Sequence, residues 1–131
     1  MARKNISSAS PYEKTIGFSR AVCVDDRILV SGTAPIADDG STAHPGDAYL
    51  QAKRCLEIIK AAIEKAGGHL TDVVRTRIYL IDAALQDEVS RAHGEFFSDI
   101  RPAATMVVVK GLASDDWLVE LEAEAVVSYG R

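Results

Sequence analysis

Two segments of the chain alternate charged with apolar residues, and they hold most of the side chains that could do chemistry. The first segment carries Arg75 and Arg77, and the second carries Glu120, Glu122 and Glu124. A carboxylate can hold a water molecule and take its proton as a general base, and an arginine can grip an anion through two parallel hydrogen bonds. The alternative is that these carboxylates lie exposed or pair with the arginines across a sheet.

A third arginine, Arg20, lies directly before the first predicted strand. Each of the three arginines could bind an anionic ligand or could neutralise one of the glutamates. We expect two of them to be paired with carboxylates and one to remain available to a ligand. If the ligand is an anion, Arg20 and Arg77 are the candidates for the side chain that binds its charge.

The histidines and cysteines show no spacing typical of a catalytic triad or a metal site. His44 and His69 are predicted in loops and His93 in a helix, with no spacing that suggests a catalytic triad. Cys23 and Cys55 lie far apart in a predicted strand and a predicted helix, which indicates two buried, reduced thiols rather than a zinc site. We therefore expect no metal and no cofactor.

The chain has 131 residues, a length that fits one domain over residues 1–131. Its net charge of −4 argues against a broad nucleic-acid-binding surface. No apolar run approaches the ~20 residues of a membrane span, and the N-terminus lacks the apolar run of a signal peptide. These features predict a cytoplasmic protein with neither nucleic acid nor membrane as partner.

Hydrophobic periodicity predicts five strands and two helices in the order ββ, α, β, α, ββ. The residues before the first strand, around Tyr12, are predicted to be a mobile tail. Asp25-Asp26 is typical of a hairpin turn, and Gly67-Gly68 of a helix end. The predicted strands are 21–24, 27–31, 73–81, 105–109 and 118–129, and the predicted helices are 47–66 and 82–97.

The central predicted strand indicates how the sheet is covered. One face is predicted to carry the smaller and apolar side chains Val74, Thr76, Ile78 and Leu80, and the other face Arg75, Arg77 and Tyr79. Two helices can cover only one face of such a sheet. The second face is too mixed for a core and too apolar at its margins to lie fully in water, so we expect an interface between copies there.

Four segments, taken in order and spacing, resemble the RidA/YjgF family, also known as endoribonuclease L-PSP. None of the four is specific alone, but together they span nearly the whole chain, from about Gly17 to Val127. They are 28–32 with Pro35, 47–67 with Gln51, 70–82, and Pro102-Ala103 with Leu112 and 119–123.

The resemblance implies a chorismate-mutase-like α+β fold with two helices packed on one face of the sheet. It also implies a homotrimer whose sheets line a barrel, with a cleft between each pair of subunits. In the deaminating members, each cleft hydrolyses small imines of amino acids, such as 2-aminoacrylate. An arginine directly after Pro-Ala grips the substrate carboxylate. A backbone N–H at a Ser-Gly turn, a glutamate acting through water and a tyrosine complete the site.

Several positions of the present chain match this implied site. Ser31 and Gly32 match the Ser-Gly turn. Glu120 matches the glutamate of the last strand, and the resemblance therefore makes it the candidate general base. Met106 stands where many members have cysteine, and its backbone N–H remains available. The tyrosine position falls on Phe18, which has no hydroxyl.

The arginine position falls on Ala104, which cannot form a charged pair with a carboxylate. An archetypal 2-imino acid deaminase is therefore not expected. Three functions stay open: a hydrolase with a different small substrate, a trimeric binding or sensing module without turnover, and an RNA-acting protein. The acidic composition and the lack of a basic, aromatic groove argue against the third. The expected ligand is a small anionic or carbonyl-bearing metabolite.

Overall fold

The computed structural model describes residues 2–8 and 10–128 of the chain. Its six strands are β1 (Arg3–Ile6), β2 (Ala21–Val24), β3 (Arg27–Thr33), β4 (Val73–Leu80), β5 (Ala103–Val108) and β6 (Val119–Val126), and its two long helices are α1 (Ala48–Lys65) and α2 (Gln86–Phe97). Three short helical turns, Glu13–Gly17, Leu70–Asp72 and Ala83–Leu85, join some of these elements. The predicted α+β class is confirmed.

The six strands form one sheet in the order β1-β2-β3-β6-β4-β5. Every neighbouring pair is antiparallel except β4 and β5, which run parallel. A parallel pair needs a crossover connection, and α2 supplies it. The strand β5 lies at one edge of the sheet, beside α2.

Helix α1 begins and ends where the local chemistry favours it. The Asp47 carboxylate accepts a hydrogen bond from the Leu50 N–H at the start of α1. Gly67 follows α1 with a φ of 96°, a conformation that glycine adopts at little cost. The two helices contact each other on one face of the sheet, where Ile59 and Leu121 are fully buried.

The N-terminal segment differs from the sequence expectation. Instead of a mobile tail, β1 pairs antiparallel with β2 and buries Ile6, which is 4% exposed. The strand was missed because Ile6 is the only apolar residue in Arg-Lys-Asn-Ile, so no alternation marks it. Tyr12 precedes the turn Glu13–Gly17, and its side chain is exposed.

The predicted orientation of Val74 is wrong. The register of β4 against β6 shifts between Val73 and Arg75, so that Val73 is buried and Val74 is 47% exposed. Such an irregularity adds one residue to the strand and moves the alternation by one position. Beyond it, Thr76, Ile78 and Leu80 are buried as expected.

The bounds of other strands and helices differ from the predicted ones by a few residues. The predicted strand 105–109 is 103–108, and the predicted strand 118–129 ends at Val126, with Tyr129 outside the described residues. The helix predicted from Asp82 begins as the short turn Ala83–Leu85, with the Asp82 carboxylate accepting from the Ala84 N–H. No helix within residues 2–8 and 10–128 is long and apolar enough to cross a membrane.

Candidate functional site

Gly32 and Glu120 meet where β3 and β6 lie side by side. The register between these strands shifts between Val30 and Thr33, and Gly32 lies within that irregularity. A β-carbon built on Gly32 would stand 3.0 Å from Oε2 of Glu120. The missing side chain therefore lets the Glu120 carboxylate lie directly against the backbone.

Arg20 supports this point of the backbone. Its guanidinium Nη2 donates a hydrogen bond to the Gly32 carbonyl oxygen at 2.8 Å, and its charged end lies 5.5 Å from the centre of the Phe18 ring. The side chain is only 8% exposed. Its Nε is buried and has no hydrogen-bond partner among the residues described. A buried arginine thus lies next to the candidate base.

The local electrostatics suit a proton-transfer group. Burial raises the pKa of the half-buried Glu120 carboxyl above its ordinary value, while nearby Arg20 lowers it and Glu122 raises it further. Burial likewise lowers the pKa of Arg20. A carboxyl group whose pKa moves towards neutrality is a better general base and acid near pH 7 than an ordinary glutamate.

Ser31 and Phe18 lie beside this pair. The Ser31 hydroxyl donates to the Ser19 carbonyl at 2.7 Å, and the Ser31 N–H donates to the Arg20 carbonyl at 3.0 Å. Phe18 and Ser31 also line an open depression of about 440 Å³ on the surface. Phe18, Arg20, Ser31, Gly32 and Glu120 therefore form one contiguous group, which we call the Glu120 half-site.

Ala104 and Met106 belong to a different place. They line a groove of about 240 Å³ between β5 and α2. No lysine, arginine, aspartate or glutamate is among the lining residues, which are Ile78, Ser90, His93, Gly94, Ala104, Thr105 and Met106. We call this the β5–α2 groove.

His93 is a residue of this groove that the sequence analysis did not select. Its Nε2 lies 2.9 Å from the Thr76 hydroxyl oxygen, and its ring contacts Phe97 with the centroids 4.7 Å apart. Burial lowers the pKa of the imidazole. The sequence could have indicated this position, because Val89, His93 and Phe97 follow each other at four-residue intervals along the buried stripe of α2.

One chain does not bring the two parts together. Ala104 pairs in register with Thr76, whose side chain is buried on the helix-covered face, and Glu120 pairs with Tyr79 on the other face. Paired residues on adjacent strands share a face of the sheet. The Glu120 half-site and Ala104 are therefore on opposite faces of the same sheet.

The other two candidate arginines lie on the open face. Arg77 Nη1 is 3.3 Å from Glu124 and 3.8 Å from Glu122, and the Tyr79 hydroxyl donates to Glu122. The pairing alternative thus holds for Arg77. Arg75 Nη2 donates to the Thr105 hydroxyl at 3.2 Å and makes no ion pair within the described part of the chain.

The family model described as Endoribonuclease L-PSP matches residues 8–127. An uncharacterized protein of Streptomyces coelicolor is 38% identical over 124 residues, which cover 95% of this chain and 92% of that protein. The 3-aminoacrylate deaminase RutC of Acinetobacter baylyi is 36% identical over 107 residues, 82% of this chain and 84% of that protein.

Among solved structures, a YjgF/YER057c/UK114 family member from Mycobacterium tuberculosis superimposes with a TM-score of 0.87. It is 39% identical in sequence, and the match covers 96% of this chain and all of that chain. The sheet and both helices described above are therefore similar in arrangement to those of an experimentally determined fold.

Proposed function

The chain belongs to the endoribonuclease L-PSP family, also called RidA/YjgF, and from this premise we propose that it hydrolyses a small imine-like metabolite in clefts between the subunits of a homotrimer. The observation that carries the proposal is the position of Glu120, a half-buried carboxyl with a raised pKa that lies against the bare backbone of Gly32. In the proposed cleft, this contact would let a small ligand engage the carboxyl group and the Gly32 peptide together.

The separation of the two half-sites supports a cleft between copies. Within one chain the Glu120 half-site and the β5–α2 groove lie on opposite faces. A groove of about 240 Å³ is also smaller than the ~300–1,000 Å³ of most ligand pockets. A second copy whose β5–α2 edge covers the open face would bring its own groove to the Glu120 half-site. Leu29 and Val107, both 41% exposed on that face, supply apolar surface for the contact.

The proposed reaction is hydrolysis of a carbon–nitrogen double bond. Glu120 takes a proton from a water molecule, whose oxygen then forms a bond to the imine carbon. The same carboxyl returns the proton to the nitrogen, and a second proton transfer allows the C–N bond to break, which releases an amine or ammonia and leaves a carbonyl. The deaminase name of the Acinetobacter baylyi relative supports this class of chemistry.

The substrate differs from that of an archetypal 2-imino acid deaminase. Ala104 offers no charge, and the β5–α2 groove around it holds no arginine or lysine. A substrate carboxylate would therefore lose its bidentate partner at this position. We place the activity on imines, or related C=N compounds, that carry no carboxylate at that end.

Ammonia and carbonyl release from a panel of small imines, with and without a carboxylate, tests the proposal. We expect Glu120→Gln to lose about 10²–10⁴-fold in rate, the usual contribution of a general base. Glu124→Gln, also half-buried on the same face but paired with Arg77, is the matched control and should keep its activity. Equal rates for the wild type and Glu120→Gln would exclude the proposed base.

A second candidate is a trimeric module that binds the metabolite without turnover. The uncharged β5–α2 groove favours it, because nothing there polarises a substrate. Calorimetry separates the two functions: saturable binding of a ligand that is recovered unchanged, with equal affinity in Glu120→Gln, would favour the binding module.

A further inference from the structure

We propose that His93 is the polar recognition group of the β5–α2 groove, and that this groove accepts an uncharged hydrogen-bonding group such as an amide, ketone or hydroxyl rather than a carboxylate. The inference deepens the proposed function and rests on it for the role of the groove as one wall of a cleft. The group that the groove accepts is the end of the ligand opposite Glu120.

The groove has no charged side chain among its lining residues. Its apolar lining is Ile78, Ala104 and Met106, and the polar side chains that face it are those of Ser90 and His93. A carboxylate moved from water into such surroundings loses hydration that no cation replaces. Arg75, whose guanidinium bonds the Thr105 hydroxyl, lies with Thr105 on the opposite face of the sheet.

His93 is held in a fixed place by two neighbouring side chains. Thr76 is fully buried in β4, and its hydroxyl lies 2.9 Å from Nε2. The ring also packs against Phe97, one turn later on α2. Two contacts from two different elements therefore orient an imidazole that is itself only half-buried. A preorganised polar group loses little conformational freedom when it binds a ligand.

The second ring nitrogen of His93 is available to a ligand. Among residues 2–8 and 10–128, the imidazole makes its hydrogen bond through Nε2, and Nδ1 has no partner. If Nε2 accepts from the Thr76 hydroxyl, Nδ1 carries the proton and donates; if Nε2 donates, Nδ1 accepts. Because burial lowers the pKa of the imidazole, the ring is neutral near pH 7 in both cases. A neutral donor or acceptor suits an uncharged partner.

Pyruvamide and pyruvate, which share a keto group and differ in charge at the other end, are suitable probes. Each is titrated into the isotope-labelled full chain while NMR follows the His93 ring nitrogens, the Ala104 methyl group and the Gly32 amide. We expect pyruvamide to shift the His93 and Ala104 signals and to bind at least about tenfold more tightly than pyruvate.

The matched variants isolate His93. His93→Phe keeps a flat ring against Phe97 but removes both nitrogens, and it should weaken pyruvamide by about three- to tenfold, the value of one hydrogen bond. His93→Gln should recover part of that loss. If His93→Phe folds poorly because the Thr76 hydroxyl loses its partner, the double variant with Thr76→Val removes both polar groups. Arg75→Gln should leave the preference for the amide unchanged.

Each outcome decides the proposal. Equal or tighter binding of pyruvate, unchanged affinity of His93→Phe for pyruvamide, or no shift of Ala104 with either probe overturns it. A rate lost in Glu120→Gln together with an unaffected His93→Phe would refute this inference alone. The expected binding pattern together with full activity of Glu120→Gln would refute the proposed function alone.

Discussion

The carboxylate of Glu120 lies against the α-carbon of Gly32, with Oε2 3.0 Å from the place where a β-carbon would stand. The two residues come from adjacent antiparallel strands, and the strand irregularity between Val30 and Thr33 surrounds the glycine. Arg20 also binds this residue, through a hydrogen bond from its guanidinium to the Gly32 carbonyl oxygen. The glycine is therefore the contact point of the candidate base and its neighbouring cation.

Adding a methyl group at this contact should displace the base. We expect Gly32→Ala to move the Glu120 carboxylate by a few tenths of an ångström and to lower activity or ligand affinity more than stability. Gly111→Ala is the control, since a β-carbon there meets no atom within 4 Å and Gly111 needs no positive φ. Thermal melting and kinetics of both variants check this. Full activity in Gly32→Ala would mean that the contact is not used.

The stability of the protein should depend on pH through Glu120. Its folded-state pKa is raised above the ordinary 4.5, mainly by burial, so the protonated form favours the fold. This contribution is complete below the unfolded pKa and is lost as the pH rises through the folded pKa. Glu120→Gln should therefore gain stability relative to wild type between about pH 4 and about pH 7. Urea denaturation at both pH values measures the difference, and a difference that shrinks with rising pH contradicts the prediction.

Arg20 should matter more to stability than the partly exposed Arg75. Arg20→Met leaves the Gly32 carbonyl without its donor, which costs about 1–3 kcal/mol of unfolding free energy. It also removes the positive charge that lowers the Glu120 pKa, so the acidic limb of a pH–rate profile should move to higher pH. Arg75→Met, which loses only the bond to Thr105, should stay within about 0.5 kcal/mol of wild type. Denaturant unfolding of the two variants compares them directly, and equal losses would contradict the assignment.

Hydrolysis of 2-aminoacrylate should be weak. A substrate carboxylate without its charged partner at Ala104 loses about 1.5–3 kcal/mol, or about 10–150-fold, relative to a family member that carries the arginine. Ala104 is exposed, so Ala104→Arg should fold normally, but it should restore little activity because Phe18 and Met106 also differ from the deaminase pattern. A coupled ammonia assay decides the point. Wild-type rates that match an arginine-bearing deaminase would refute it.

The assembly should be a trimer. Light scattering at micromolar concentration should give about three times 14.1 kDa. Val107→Glu, on the exposed edge strand β5, should shift the mass towards the monomer, because it places a charge in the proposed contact. Ala61→Glu, on the exposed side of α1, should not. A monomeric wild type would remove the basis for a cleft between copies.

Local patterns in the sequence were enough for the elements whose signals are strong. The hairpin β2–β3 and helix α1 combine regular hydrophobic spacing with turn or cap residues such as Asp25 and Asp47, and each was predicted close to its true bounds. The strand β1 has one apolar residue, Ile6, and draws its order from pairing with β2. Pairing with a distant segment cannot be predicted from the pattern of four residues.

The candidate site was likewise predicted only in part from the sequence. The resemblance to the RidA/YjgF family selected Gly32 and Glu120, and the fold brings them into contact. That Ala104 lies on the opposite face from Glu120 depends on the sheet order β6-β4-β5 and on its registers, which single-strand patterns do not contain. His93 was passed over because no acid or nucleophile is spaced to form a triad with it, and its groove exists only once β5 lies beside α2.

The placement of Ala104 and Glu120 on opposite faces has a genetic consequence in the proposed trimer. Each cleft would draw its base from one gene product and its groove from the next, so a lesion in either part would disable a different wall. Two alleles, one defective at Glu120 and one with a blocked groove, would then complement in trans, because every mixed trimer joins one sound base to one sound groove. Dominance, rather than simple loss of function, would be expected only for lesions that damage both walls and still assemble with wild-type subunits.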